Sequence, residues 1–136
     1  MAETIRLVDY FNIETPNKPG QAARALASIK QAGVNLLAFS GFPRGRRSQL
    51  DFIPADTRAF VKAARQAGLK LSPRKTGFLI QGEDRVGAIA DVLGKLAAAK
   101  INVTAVDALC TGENRYGAIL WVKPPDRRRA AKVLGL

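Results

Sequence analysis

Apolar and polar positions along the chain change period several times, and the changes mark the elements. Ile5–Ile13 (IRLVDYFNI) is rich in β-branched and aromatic residues and reads as a strand. Ala22, Ala25, Leu26, Ile29 and Ala32 then recur at helical spacing, and Gly33 stands where a helix C-cap glycine would. Strand character returns in Val34–Phe39 and Gln49–Ile53, on either side of the polar turn Arg44-Gly45-Arg46-Arg47. A second helix is expected over Asp56–Ala67 with Asp56 as N-cap, followed by a short strand at Leu69–Leu71.

The second half repeats this order. Asn17-Lys18-Pro19-Gly20 is answered 67 residues later, at 84, by Asp84-Arg85-Val86-Gly87. Ala23, Leu26, Asn35 and Ala38 have identical partners in Ala90, Leu93, Asn102 and Ala105 in the same register. Phe78–Ile80 stands for the first strand, and Ile89, Val92, Leu93, Leu96 and Ala99 for the helix. Ile101–Leu109, the turn Thr111–Asn114 and Tyr116–Val122 form the hairpin, and Asp126–Leu134 the last helix, with Asp126 as its N-cap. We read a duplication of βαββα, with modules at 1–73 and 74–136. The expected class is α+β: ferredoxin-like βαββαβ modules in tandem, each an antiparallel sheet with both helices on one face. The second copy ends too soon for a last strand, which leaves one sheet edge open and suggests a homodimer that covers it.

Composition narrows the chemistry. The 136 residues contain no histidine and one cysteine, so a Cys–His nucleophile pair and a structural zinc site are excluded. The 11 carboxylates form no DxD or ExxE pair. No catalytic residue, metal ligand or cofactor is expected. No apolar run approaches the ~20 residues of a membrane span, and Met1-Ala2-Glu3-Thr4 does not open a signal peptide, so a cytoplasmic protein is expected. The net charge of +11 points to a polyanion or to a solvated basic surface, and between Arg44 and Lys75 nine basic residues face two acidic ones. A nucleic-acid surface on the basic hairpin and second helix is therefore the alternative function. Cys110, Trp121, Phe39 and Phe42 read as packing residues, the two phenylalanines with base stacking as the alternative.

The turn between first strand and first helix carries the main candidate site. Early N–H groups of a helix attract a carboxylate or phosphate. Asn17 offers a donor and an acceptor, Asp84 can hold an ammonium group, and Asn35 and Asn102 are expected to face the same cleft from the other side. The competing role for Asn17 and Asp84 is helix capping, and for the asparagines a turn between helix and strand.

Asn17-Lys18-Pro19-Gly20, followed by an Ala/Leu helix and Gly33-Val34-Asn35, resembles the signature of ACT domains, small regulatory modules. Asp84-Arg85-Val86-Gly87 with Lys100-Ile101-Asn102-Val103 is a looser match, in which Val86 replaces the proline. The resemblance implies a ferredoxin-like fold, paired modules, and an amino acid or related metabolite bound near the turns. It makes Asn17, Lys18, Pro19, Gly20 and Asn35, then Asp84, Arg85, Val86, Gly87 and Asn102, the candidate ligand-binding residues. With no catalytic domain attached, a regulator of a separate enzyme, or a sensor, is implied.

Overall fold

The computed structural model describes residues 3–136, so Met1 and Ala2, where the first expected module and the leader reading begin, lie outside it. Its elements are β1 (Thr4–Pro16), α1 (Gln21–Gln31), β2 (Leu36–Arg44), β3 (Arg47–Pro54), α2 (Thr57–Gln66), β4 (Lys75–Glu83), α3 (Ala88–Ala98), β5 (Val103–Gly112), β6 (Arg115–Val122), a 3₁₀ turn (Pro124–Asp126) and α4 (Arg127–Val133). The class is α+β, and the order βαββα occurs twice, as expected. The chain forms two compact units, one of Asp9–Lys75 and one of Thr76–Leu136 together with the N-terminal segment through Val8.

In the unit Asp9–Lys75, β3 pairs antiparallel with both β1 and β2. Side chains alternate across a strand, so the pairs Phe11↔Phe52 and Ile13↔Leu50 put four apolar groups on one face. Ala25 and Ile29 of α1 and Phe60, Ala63 and Ala64 of α2 close over that face in a single core. Phe60 is fully buried, with its ring centroid 5.5 Å from Phe11 and 5.4 Å from Phe52. Asp56 caps α2 as expected, accepting from the Ala59 N–H at 3.0 Å. The strand expected at Leu69–Leu71 does not form. Ser72 instead makes a local clasp, its N–H donating to Asn12 O and its hydroxyl accepting from the Asn12 N–H, both at 2.9 Å. Pro73 has no N–H with which to continue a ladder.

In the other unit, β6 pairs antiparallel with β4 and β5, and Phe78↔Leu120 and Ile80↔Ala118 face the same core. Val92 and Leu96 of α3 and Ala130 and Leu134 near α4 complete it. The β5–β6 turn places Glu113 and Asn114 at φ 53° and 60°, the left-handed pair that a two-residue hairpin turn requires.

One expectation fails here and another holds in part. The edge left by the absent last strand is occupied, because β1 lies beside β4. Thr4 Oγ1 donates to Gln81 O at 3.4 Å, and Tyr116 donates its hydroxyl proton to Glu3. The reason is length. β1 has 13 residues rather than the nine read from hydrophobicity, about 43 Å of extended chain, enough to serve two sets of partners. A homodimer is therefore not needed to cover this edge. Asp126 stands at the N-cap position of α4 as expected but makes no side-chain cap bond, because it sits in the right-handed helical region at the end of the 3₁₀ turn. Its carboxylate lies 3.6 Å from Arg129 instead.

Replacing Phe60 by alanine should destabilise the chain by about 3–5 kcal/mol. Val86→Ala, at a wholly exposed side chain, should stay within about 0.5 kcal/mol. Urea unfolding followed by circular dichroism measures both.

Candidate ligand site

Both strand-to-helix turns close in the same way. Gly20 is the N-cap of α1 at φ 86°, and Gly87 the N-cap of α3 at φ 79°. This left-handed conformation is costly for residues with a Cβ. A Cβ on either glycine would have nothing within 4 Å, so backbone conformation and not space demands glycine there. Neither helix has a side-chain cap. Asn17 accepts instead from the Ser48 hydroxyl at 3.1 Å, and Asp84 from the Cys110 thiol at 3.2 Å. Capping, the competing role for Asn17 and Asp84, is thereby set aside. The Gln21 N–H closes back on Lys18 O at 3.4 Å and the Ala88 N–H on Arg85 O at 3.3 Å, and the next two N–H groups of each helix have no partner within it.

A hollow lies at each turn. In the unit Asp9–Lys75 it measures about 340 Å³, with Thr15, Asn17, Lys18, Gln21 and Ser48 as its polar wall and Phe39 and Phe42 among its apolar groups. Thr15 Oγ1 is buried there without a hydrogen-bond partner. In the other unit the hollow measures about 280 Å³ and is lined by Asp84, Arg85, Gly87, Ala88, Ile89, Ala90, Ala108, Leu109, Cys110 and Tyr116. The two occupy corresponding places: adding 67 carries Asn17 to Asp84, Gly41 to Ala108 and Phe42 to Leu109.

Their chemistry differs. The first hollow has a lysine and neutral donors and no carboxylate in its wall. The second combines the Asp84 carboxylate with the N-terminal turn of α3, between the apolar side chains of Ile89 and Leu109. Arg85 is tied to Asp91 at 2.7 Å, which raises its pKa and turns part of its charge away from the hollow. The hydrogen bond to Asp84 raises the pKa of Cys110, and burial raises that of Tyr116, assisted by its bond to Glu3.

Not all the expected residues meet. Asn17, Lys18, Asp84, Arg85 and Gly87 line the hollows, whereas Pro19, Gly20 and Val86 are in the turns but outside the linings. Asn35 faces a separate depression with Leu26, Ile29 and Gly33, and its carbonyl accepts from the Ala55 N–H at 3.0 Å. Asn102 is exposed beyond α3 and lines neither turn hollow. The cause is helix length: 11 residues rise about 16 Å, so the two ends of α1 or α3 cannot face one hollow. Conversely, Phe39, Phe42 and Cys110, packing residues by type, are exposed at the hollows. Extending the 67-residue register past Ala38 and Ala105 would have found Phe42, Leu109 and Cys110. Among the described residues, no three His, Cys, Asp or Glu side chains gather as a metal site.

Residues 78–135 match the ACT domain. The match falls on the copy with the looser signature, and it contains the Asp84 hollow. Among solved structures, a protein of Bacteroides thetaiotaomicron superposes with a TM-score of 0.81 at 19% identity, over 96% of this chain and 88% of that one. The regulatory subunit of aspartate kinase from Thermus thermophilus, in its ligand-free form, gives 0.65 at 16%, over 97% and 93%. The corresponding subunit from Thermus flavus gives 0.62 at 16%, over 98% and 95%. At these identities the likeness is one of fold. No curated protein matches the sequence. The ACT match is the finding that bears on a small-molecule-binding regulatory role. Among the described residues, no helix is long and apolar enough to cross a membrane.

The Asp84–Cys110 contact sets the reactivity of the thiol. A thiolate beside a carboxylate is disfavoured, so wild-type Cys110 should alkylate more slowly at pH 8 than a free cysteine. Asp84→Asn should lower the thiol pKa and speed the reaction, with the pH–rate midpoint moving down. Iodoacetamide labelling followed by mass spectrometry reads both.

Proposed function

We propose that the chain is a tandem pair of ACT modules that binds an amino acid in the Asp84 hollow and regulates a separate enzyme, with no catalysis of its own. One observation carries this reading: a carboxylate and an open helix N-terminus share one hollow with an apolar wall. A free amino acid carries both charges on neighbouring atoms. Its carboxylate suits the N–H groups of Ile89 and Ala90, and its ammonium group suits Asp84. The side chain would lie along Ile89 and Leu109. At about 280 Å³ the space is at the lower end of ligand pockets, which favours a small metabolite.

The likeness to aspartate kinase regulatory subunits supports regulation in trans, and a chain without histidine lacks the usual general base near neutral pH. The turn hollow of the first module, with Lys18 and no carboxylate, suits an anionic group without an ammonium partner. The two modules thus differ in what they can hold, and the zwitterion belongs to the second.

A thermal-shift screen against the twenty amino acids tests this. A ligand at a hundred times its dissociation constant adds about 2.7 kcal/mol, which moves the midpoint by several degrees. One or a few amino acids should give that rise, their N-acetyl forms should not, and Asp84→Asn should abolish it while Lys18→Ala keeps it. A flat screen, or a response that survives Asp84→Asn, overturns the assignment.

A further inference from the structure

The charge of the chain is unevenly divided. Asp9–Lys75 holds twelve basic and four acidic residues, a net +8, whereas the rest holds ten and seven, a net +3. Within the basic unit, α2 turns Phe60, Ala63 and Ala64 into the core. Arg58, Lys62 and Arg65 follow one another at i, i+4 and i+7, and all three are exposed. With Thr57, Val61 and Gln66 they line a hollow of about 430 Å³ that contains no carboxylate. Among the described residues, none of the three cations has an acid within salt-bridge reach. Arg58 also stands in the first turn, two residues from the Asp56 cap, where positive charge opposes the helix dipole. A row of unpaired cations on one helix face is unfavourable for the isolated helix, since like charges at i, i+4 repel.

We infer that this face of α2 binds the phosphate backbone of nucleic acid. Seven residues of helix rise about 10 Å, so the three cations form a row and not a single point of charge. The +8 of the surrounding unit extends the attraction well beyond one phosphate, which favours a polymer over a small phosphorylated molecule. Arginine at both ends of the row supplies planar donor forks suited to phosphate oxygens. Gln66 adds a neutral donor, while the Thr57 hydroxyl donates to Asp9 at 2.8 Å. Val61 is the only apolar group in the hollow and no aromatic side chain lines it, so there is nothing on which a base would stack. Binding is therefore sequence-independent. The inference does not rest on the amino-acid reading, since the two sites share no residue.

The test is fluorescence anisotropy of the full chain with a labelled 20-base-pair DNA duplex across salt concentrations. Three phosphate contacts predict a slope of log K against log salt of about −2.7, roughly a forty-fold loss between 50 and 200 mM. The variant Arg58→Gln/Lys62→Gln/Arg65→Gln should lose this binding and keep its circular dichroism spectrum, because glutamine is a comparable helix former. Arg65→Gln alone should reduce the slope by about 0.9. Arg127→Gln/Arg128→Gln/Arg129→Gln, on α4, should bind as wild type. The inference is overturned by absence of binding at 50 mM salt, by a salt-independent affinity, or by α2 variants that bind like wild type. Competition by polyglutamate as effective as that by unlabelled DNA overturns it too, and indicates an acidic protein partner.

Discussion

The candidate site depends on one conformational device, a glycine at the N-cap that turns strand into helix without a side-chain cap. Gly20 and Gly87 stand in the left-handed region, where the chain can reverse direction while the second and third N–H groups of the helix keep no side-chain cap. A serine or aspartate cap would satisfy one of those donors from within. Here the nearest polar side chains turn away, Asn17 to Ser48 and Asp84 to Cys110. The helix end keeps its partial positive charge for a ligand, and the adjacent residue decides which ligand. In the proposed function, asparagine and lysine suit an anion and aspartate suits a zwitterion. Identical backbone with exchanged side chains is how a repeated fold acquires two different chemistries.

The second constraint is the length of β1. Its first residues, Thr4–Val8, belong to one compact unit, and Asp9–Pro16 to the other. The unit that contains the stretch matching the ACT domain thus obtains its edge strand from the far end of the chain, and Tyr116 in the wall of its hollow is held by Glu3. Wall and edge strand are joined through that bond. The N-terminal segment accordingly bears on the geometry of the hollow without lining it.

Much of this was legible in local pattern. The 67-residue register, the helical spacing of Leu26 and Ile29, the Asp56 cap and the Glu113-Asn114 turn follow from short-range physics, and all recur in the structure. What escaped depends on distance. Nothing near Ile5 signals that it will pack in a core with Leu120, more than a hundred residues on. Leu69–Leu71 has strand-like residues, but a strand needs a partner ladder, and Ser72 and Pro73 end it. Asn35 recurs with Asn102 and so invited a shared role with the turns, yet an 11-residue helix lies between each asparagine and its hollow. Phe42 and Cys110 look like core residues by type, and only the hairpin geometry exposes them.

The central claim is that a free amino acid places its carboxylate on the open N-terminus of α3 beside Asp84. Backbone amide NMR of the isotope-labelled chain, titrated with the amino acid that raises its thermal midpoint, tests it residue by residue. The account predicts saturable shifts at Ile89 and Ala90, with smaller ones at Asp84 and Leu109, and no comparable change at Gln21 and Ala22 on the α1 turn. Saturable shifts confined to other residues, with Ile89 and Ala90 unmoved, would contradict it.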